Sequence, residues 1–245
     1  MLKIINFRKA ILLIHGFAGG CYDYGDFGND LEPYKKFDVY TFTLPGHDKQ
    51  IINKIKREEW IKASEKEIEK IIEKGYKEIY VIGQSMGGII ATHLASKYKE
   101  IKKLVLAAPA FKYFSFKEDK LDIIESIKKI PNLFKHYDKD LVISRITKVP
   151  PQTIKEFIKL AKEHLPNVKK IDIPTLILHG NNDEIVPVES VNYVYDNIAS
   201  KSVTLVNFKS LTHDLFINNR YEEVKKIIIS FLTSYNLAIK EKKEI

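Results

Sequence analysis

Apolar positions along this chain fall into short unbroken runs separated by stretches of helical spacing. Ala10 to His15 is one such run, closed by His15-Gly16, and Phe37 to Leu44 predicts a second strand after a loop and helix around Asp23 to Tyr34. Glu59 to Gly75 carries its apolar residues at three- and four-residue intervals, which predicts an amphipathic helix stopped by glycine. Ile79 to Ile82 is apolar and β-branched, and Ile89 to Leu94 resumes with helical spacing, so this segment reads as strand, sharp turn, helix. A strand over Ile101 to Ala108 is closed by Pro109. Alternation returns with a strand at Pro174 to Gly180, a helix near Pro187 to Ala199, a strand at Ser202 to Phe208 and a last helix from about Arg220 to Tyr235. Strands separated by helices predict an α/β protein with a mostly parallel central sheet and helices on both faces.

Two stretches depart from the alternation. Phe111 to Lys170 is Lys-rich and helical in period, divided by Pro131, Pro150-Pro151 and Pro166, and no strand is read in it. It is expected to be an insertion lying over the sheet. Lys240 to Glu244 is wholly charged and is expected to fray. With no internal repeat and no low-complexity linker, residues 1–245 read as one domain with an insertion at about 111–170.

Composition narrows the class. A chain of 245 residues, 44% hydrophobic and 29% charged, can bury one large core. Met1 to Ala10 mixes Lys3, Asn6, Arg8 and Lys9 among its apolar residues, so no targeting segment is expected there. No stretch approaches the roughly 20 apolar residues that span a bilayer, so no stable membrane insertion is expected. Cys21 is the only cysteine, which excludes an internal disulfide and agrees with a reducing, cytoplasmic setting; it reads as a small buried filler. The net charge of +8 raises nucleic acid as a partner. Arginine occurs only at 8, 57, 145 and 220, however, and the lysines alternate with glutamates. Lys62, Glu65, Lys66, Glu69, Lys70, Glu73 and Lys74 read as a solvated helix face with i,i+4 pairs, so no nucleic acid is expected.

The candidate chemistry starts at Gly83-Gln84-Ser85-Met86-Gly87, a G-x-S-x-G string in which a serine is held on a strained turn whose neighbours lack side chains. A neutral hydroxyl needs a base, and the base needs a third group to fix its tautomer. In this architecture the order is Ser, then Asp or Glu, then His. Asp183 lies in His179-Gly180-Asn181-Asn182-Asp183-Glu184, just past a strand's carboxyl end, with Glu184 the adjacent rival. His213, in Leu211-Thr212-His213-Asp214, follows the final strand and is the one histidine in correct order after both. His15, His47, His93 and His179 read as neutral core or loop histidines. The backbone N–H of Met86, at a helix N-terminus, and that of Phe17, in the loop His15 to Gly20, are the candidate oxyanion donors. That loop lacks the G-x-G-x-x-G spacing of a dinucleotide cradle. Phe111, Tyr113 and Phe114 are candidate pocket residues, competing with a reading as simple packing.

On these motifs, together with Leu44-Pro45-Gly46-His47 and Ile185-Val186-Pro187, the chain resembles the serine α/β-hydrolases, and within them the bacterial carboxylesterase and monoacylglycerol-lipase-like branch. The resemblance implies the α/β-hydrolase fold, a Ser85, His213, Asp183 triad, donors at Phe17 and Met86, no metal and no organic cofactor. It also implies a helical cap in the Phe111 to Lys170 insertion, a small-molecule ester substrate, and a monomer or homodimer. The antiparallel strands that usually open the family are expected to be shortened here, with Leu2 to Asn6 a remnant. Competing functions are a binding module that keeps the fold without turnover, and an acyltransferase or thioesterase with the same triad. Ser85 stands where an epoxide hydrolase needs a carboxylate.

Overall fold

The structure is a computed structural model that describes residues 8–47, 54–112, 116–117, 120–121, 149–235 and 239–245. Its centre is a seven-stranded sheet of spatial order β2-β1-β3-β4-β7-β8-β9. The strands are β1 (Lys9–Ile14), β2 (Phe37–Thr41), β3 (Ile79–Gln84), β4 (Ile101–Ala107), β7 (Thr175–Gly180), β8 (Val203–Phe208) and β9 (Lys240–Glu244), and every pairing is parallel. The runs in β1, β3 and β4 are unbroken because both faces are covered, so the alternation that would mark a half-wet strand is absent. Ala10, Leu12 and Ile14 enter one core cluster while Ile11 and Leu13 enter the other. In β4 the same division sends Leu104 and Leu106 to the first face and Val105 and Ala107 to the second.

The first face is covered by α2 (Arg57–Glu73), α3 (Met86–Lys97), α4 (Pro151–His164) and α5 (Val188–Asn197), through Trp60, Ile68, Ile89, Leu94, Phe157, Leu160 and Val191. The second is covered by α1 (Phe27–Asp30) and α6 (Tyr221–Thr233), through Phe27, Val224, Ile228 and Leu232. Helix α3 is buried along most of its length because α2 and α4 pack against it on the side away from the sheet. From the expected cap, α4 is followed by a short 3-10 helix, Leu165–Lys170, that also packs on α3. Ser190 of α5 grips the start of the same segment, its hydroxyl donating to the Pro109 carbonyl at 2.6 Å and accepting from Lys112 N–H at 3.0 Å.

Three expectations are overturned. Residues 240–244 do not fray but form β9: Val203 N–H donates to Ile239 O at 2.7 Å, Lys209 N–H to Ile245 O at 2.8 Å, and Lys240 and Lys242 stand over the Tyr195 ring. A charged sequence suits an edge strand, whose outer side faces water and whose lysines discourage further pairing. The 111–170 segment is not free of strands, since β5 (Phe116–Lys117) and β6 (Lys120–Leu121) pair antiparallel, too short a hairpin to leave a period in the sequence. The exposed face of α2 is not laced by i,i+4 pairs among the described residues: Glu67 pairs with Lys70 at i,i+3, while Glu65 reaches across to His93 and Lys97 and Glu69 accepts from the Tyr98 hydroxyl. A buried α3 leaves those neighbours within reach. The expected remnant at Leu2 to Asn6 lies outside the described residues.

Candidate active site

Ser85 sits between the end of β3 and the start of α3 with φ 55° and ψ −118°, a left-handed conformation costly for a residue with a Cβ. The turn is held from outside. Ser85 N–H donates to Ala107 O of β4 at 2.8 Å, and the Ser85 carbonyl accepts from Gly88 at 3.0 Å and from Ala110 at 3.2 Å. A Cβ on Gly87 would lie 2.0 Å from the Ile14 carbonyl oxygen, so only glycine lets the first turn of α3 meet the end of β1. That contact sets the hydroxyl beside the next loop, where a Cβ on Gly16 would be 3.2 Å from Ser85 Cβ and 3.8 Å from its Oγ.

Asp183 and His213 arrive on the loops after β7 and β8, neighbouring strands of the sheet. Asn182 N–H donates to Leu211 O at 3.0 Å, tying the two loops together. His213 Nδ1 lies 2.8 Å from Asp183 Oδ2, while Asp183 Oδ1 accepts from the N–H groups of Ile185 and Val186, each at 2.8 Å. The Asp183 side chain is fully buried and His213 nearly so. Burial alone would raise the carboxyl's pKa. The charge and hydrogen bond of His213, with the Val186 N–H, outweigh it and hold Asp183 below the usual carboxylate range, so it is an anion. An anionic acceptor at Nδ1 makes that nitrogen the donor and leaves Nε2 the basic nitrogen of the ring.

Met86 follows the serine in the chain, and Phe17 follows Gly16, which stands against it. The N–H of Met86 opens α3 and has no intrahelical acceptor, and that of Phe17 has no acceptor among the described residues. Ala18, the next residue, has φ 59°. The Phe17 ring is edge-on to His47 and Trp60 and stacks on Phe157 of α4 at 4.8 Å.

The other histidines are held in structural hydrogen bonds. His15 Nε2 accepts from Leu44 N–H at 2.9 Å while its Nδ1 donates to Gly16 O at 2.8 Å, and burial lowers its pKa to about 4. His179 donates from Nε2 to Val186 O at 2.9 Å, bracing the loop that carries Asp183. His93 bonds Glu65 and meets His164 edge-on.

Of the candidate pocket residues, Phe111 is 4% exposed and packs in the core on the α2–α5 face; Tyr113 and Phe114 lie outside the described residues. Cys21 is not a buried filler but partly exposed, with Sγ 3.5 Å from Thr43 Oγ1, because it opens a short surface 3-10 helix. Sequence reasoning missed Phe157. It lies in a helical apolar pattern that reads as core, and nothing local reveals that its outer neighbour is the Phe17 loop. No cluster of three potential metal ligands occurs among the described residues, and no described helix is long and apolar enough to cross a membrane. A cavity of about 540 Å³ lies between α6 and the β7–β9 edge, lined by residues such as Lys226, Phe231 and Tyr235 and by none of the loops above.

A parallel sheet whose carboxyl edge carries a strained serine elbow and a buried carboxylate–imidazole pair defines an α/β-hydrolase. The chain belongs to the Hydrolase_4 family, described as serine aminopeptidase S33, whose family model matches residues 6–220. It is similar to a carboxylesterase of Bacillus subtilis, 23% identical over 91% of this chain and 92% of that protein. It is also similar to the monoacylglycerol lipase ABHD6 of Bos taurus, 23% identical over 96% of this chain and 79% of that one. The solved monoacylglycerol lipase of Paleococcus ferrophilus shares the fold, with a TM-score of 0.69 and 21% identity over 91% of this chain and 93% of the other.

Proposed function

We propose that the protein is a serine hydrolase that cleaves carboxylic esters, of short- to medium-chain or monoacylglycerol-like type, through an acyl-enzyme on Ser85. The observation that carries this reading is the 2.8 Å contact between His213 Nδ1 and the buried Asp183 carboxylate, on loops at the same carboxyl edge of the sheet as the Ser85 elbow. His213 Nε2 takes the Ser85 proton as Oγ attacks the ester carbonyl, and Asp183 stabilises the imidazolium that forms. The developing oxyanion is met by the N–H groups of Phe17 and Met86, each worth roughly 3 kcal/mol of barrier in a dry site. His213 then protonates the leaving alcohol, and water repeats the attack on the acyl-enzyme. The ester substrate is supported by the names of the relatives. The aromatic surroundings of Phe17 suit an apolar acyl or alcohol group. The chain is read as a single domain capped by residues 111–170, acting in the cytoplasm on a small molecule as a monomer or homodimer.

The test is a p-nitrophenyl ester series of increasing chain length on wild type and Ser85→Ala, with amino-acid p-nitroanilides as the amide arm. Wild type is expected to turn over esters, and Ser85→Ala to lose on the order of 10⁶ in kcat. Unchanged turnover in Ser85→Ala rejects the nucleophile. A wild type that neither turns over nor is labelled by a fluorophosphonate is a binding module, and faster cleavage of the anilides makes the substrate a peptide.

A further inference from the structure

Helix α4 reaches the proposed oxyanion loop through one side chain. Phe157, 2% exposed, lies flat on the Phe17 ring, with centroids 4.8 Å apart and an interplanar angle of 22°. Trp60 and His47 close the ring's other sides edge-on, at 6.0 and 6.1 Å. The residue after Phe17 is Ala18 at φ 59°, a conformation that an alanine leaves unless its surroundings hold it. Gly19 N–H closes the turn on Gly16 O at 3.3 Å, and the Phe17 ring gives this loop its anchor outside itself.

Helix α4 is itself pinned beside that contact. Glu156, next to Phe157 in the chain, is 4% exposed, and its Oε2 accepts from Arg57 Nη1 at 3.0 Å and from Arg57 N–H at 3.4 Å. Its other oxygen accepts from Lys159 at 2.7 Å. Arg57 Nε also donates to Glu163 of α4 at 2.6 Å. A buried carboxylate so bonded to the first residue of α2 leaves α4 one position against α2, since any slide would strand the charge. Trp60, one turn further along α2, donates from Nε1 to Pro45 O at 3.0 Å, which ties α2 to the turn that carries His47 beside the Phe17 ring.

We infer that Phe157 is a positioning residue, and that the Arg57–Glu156 pair holds α4 so that the Phe157 ring clamps Phe17 and keeps its N–H directed at the oxyanion of the Ser85 reaction. The inference rests on the ester-hydrolase reading and assigns to α4 a part in the chemistry that a plain cap helix lacks. Loss of one oxyanion donor costs about 10²–10³ in kcat, and a loosened donor a fraction of that.

The experiment measures p-nitrophenyl acetate kinetics and inhibition by phenylboronic acid, which forms a tetrahedral adduct on an active-site serine, for wild type, Ser85→Ala, Phe157→Ala, Phe157→Leu, Phe157→Tyr and Glu156→Gln. Rates are taken per site labelled by a fluorophosphonate at the endpoint, and per mole of protein for Ser85→Ala. Phe157→Ala is expected to lower kcat by about 10–100-fold and to weaken boronate binding by a similar factor, with KM changed less than about 3-fold. Phe157→Tyr, which keeps a flat ring, is expected to restore most of the loss. Glu156→Gln is expected to lose about 3–10-fold in kcat with the ring in place. Should Phe157→Ala fail to fold, Phe157→Leu keeps the buried volume without a flat ring and carries the same direction of change. Wild-type kcat and boronate affinity in Phe157→Ala, Phe157→Leu and Glu156→Gln, beside a Ser85-dependent wild type, overturn the inference while leaving the hydrolase reading intact. Absence of Ser85-dependent turnover in wild type overturns both.

Discussion

A Cβ placed on Gly180 would stand 2.1 Å from the carbonyl oxygen of Leu211, so the end of β7 and the loop after β8 meet backbone to backbone. The contact continues in hydrogen bonds from Asn181 N–H to Phe208 O at 2.8 Å and from Asn182 N–H to Leu211 O. Asp183 is thereby carried to the loop of His213, thirty residues further along the chain. Gly180→Ala is expected to push the loops apart, lowering stability by about 2 kcal/mol or more and kcat with it. Gly28→Ala, whose Cβ meets only Val39 Cγ1 at 3.9 Å inside α1, is expected to be neutral or slightly stabilising. Urea unfolding of both variants checks the contrast, and equal effects would rule out the close approach as its cause.

Replacement of Asp183 by asparagine separates geometry from tautomer. One amide oxygen can still accept from Ile185 and Val186 N–H, but the NH₂ group would then face His213 Nδ1 and force that nitrogen to accept. The proton moves to Nε2, and the base is lost. A fall of about 10⁴ in kcat with fold and KM largely kept is expected, measured on p-nitrophenyl acetate. A near-wild-type rate would move the acid elsewhere.

Stability should depend on pH through His15. Its folded pKa, lowered from 6.5 to about 4 by burial, lies beneath its unfolded value, so between those limits the unfolded chain binds a proton that the native chain does not. Stability is therefore full above pH 6.5 and falls as the pH drops towards 4, by about 3 kcal/mol from this group. His164, lowered in the same way mainly by burial, acts in the same window. Asp183 adds a loss at lower pH still, as its carboxylate is protonated. Urea unfolding from pH 4 to 8 on wild type and a His15→Gln variant checks this, since the variant should show a shallower slope whatever its absolute stability.

Lys103 closes α6 from the sheet. Its ammonium donates to the carbonyls of Phe231 at 2.7 Å, Leu232 at 3.3 Å and Ser234 at 2.7 Å, the groups that a helix C-terminus leaves without partners. Lys103→Met keeps the apolar stem and removes the donor, and a loss of about 2 kcal/mol is expected by urea unfolding. Lys102→Met, one residue earlier on the exposed side of β4, should be close to neutral.

The candidate site was legible in the sequence wherever its geometry is local. Ser85 between a strand and a helix, and acidic and imidazole residues each just past a strand, follow from apolar periods and glycine spacing over a few residues. Asp183 is preferred there with Glu184 a rival one residue away in register, because a carboxylate's direction depends on a turn closed by Ile185 and Val186 N–H. The Lys-rich strand β9 was illegible for a different reason. Its stability comes from pairing with β8 and from the Tyr195 ring, both distant partners, and not from its own composition.

By itself the sequence determined the alternation of strands and helices, the double burial of the central strands and the order of serine, acid and histidine, because these depend on side-chain polarity repeating along a single element. Only the tertiary structure decided that Glu65 and Glu69 would pair across helices, that β9 would complete the sheet, and that Phe157 would rest on Phe17. Each of those depends on which surfaces meet when separate elements pack, and that is a property of shape and distance in three dimensions that no period along the chain encodes.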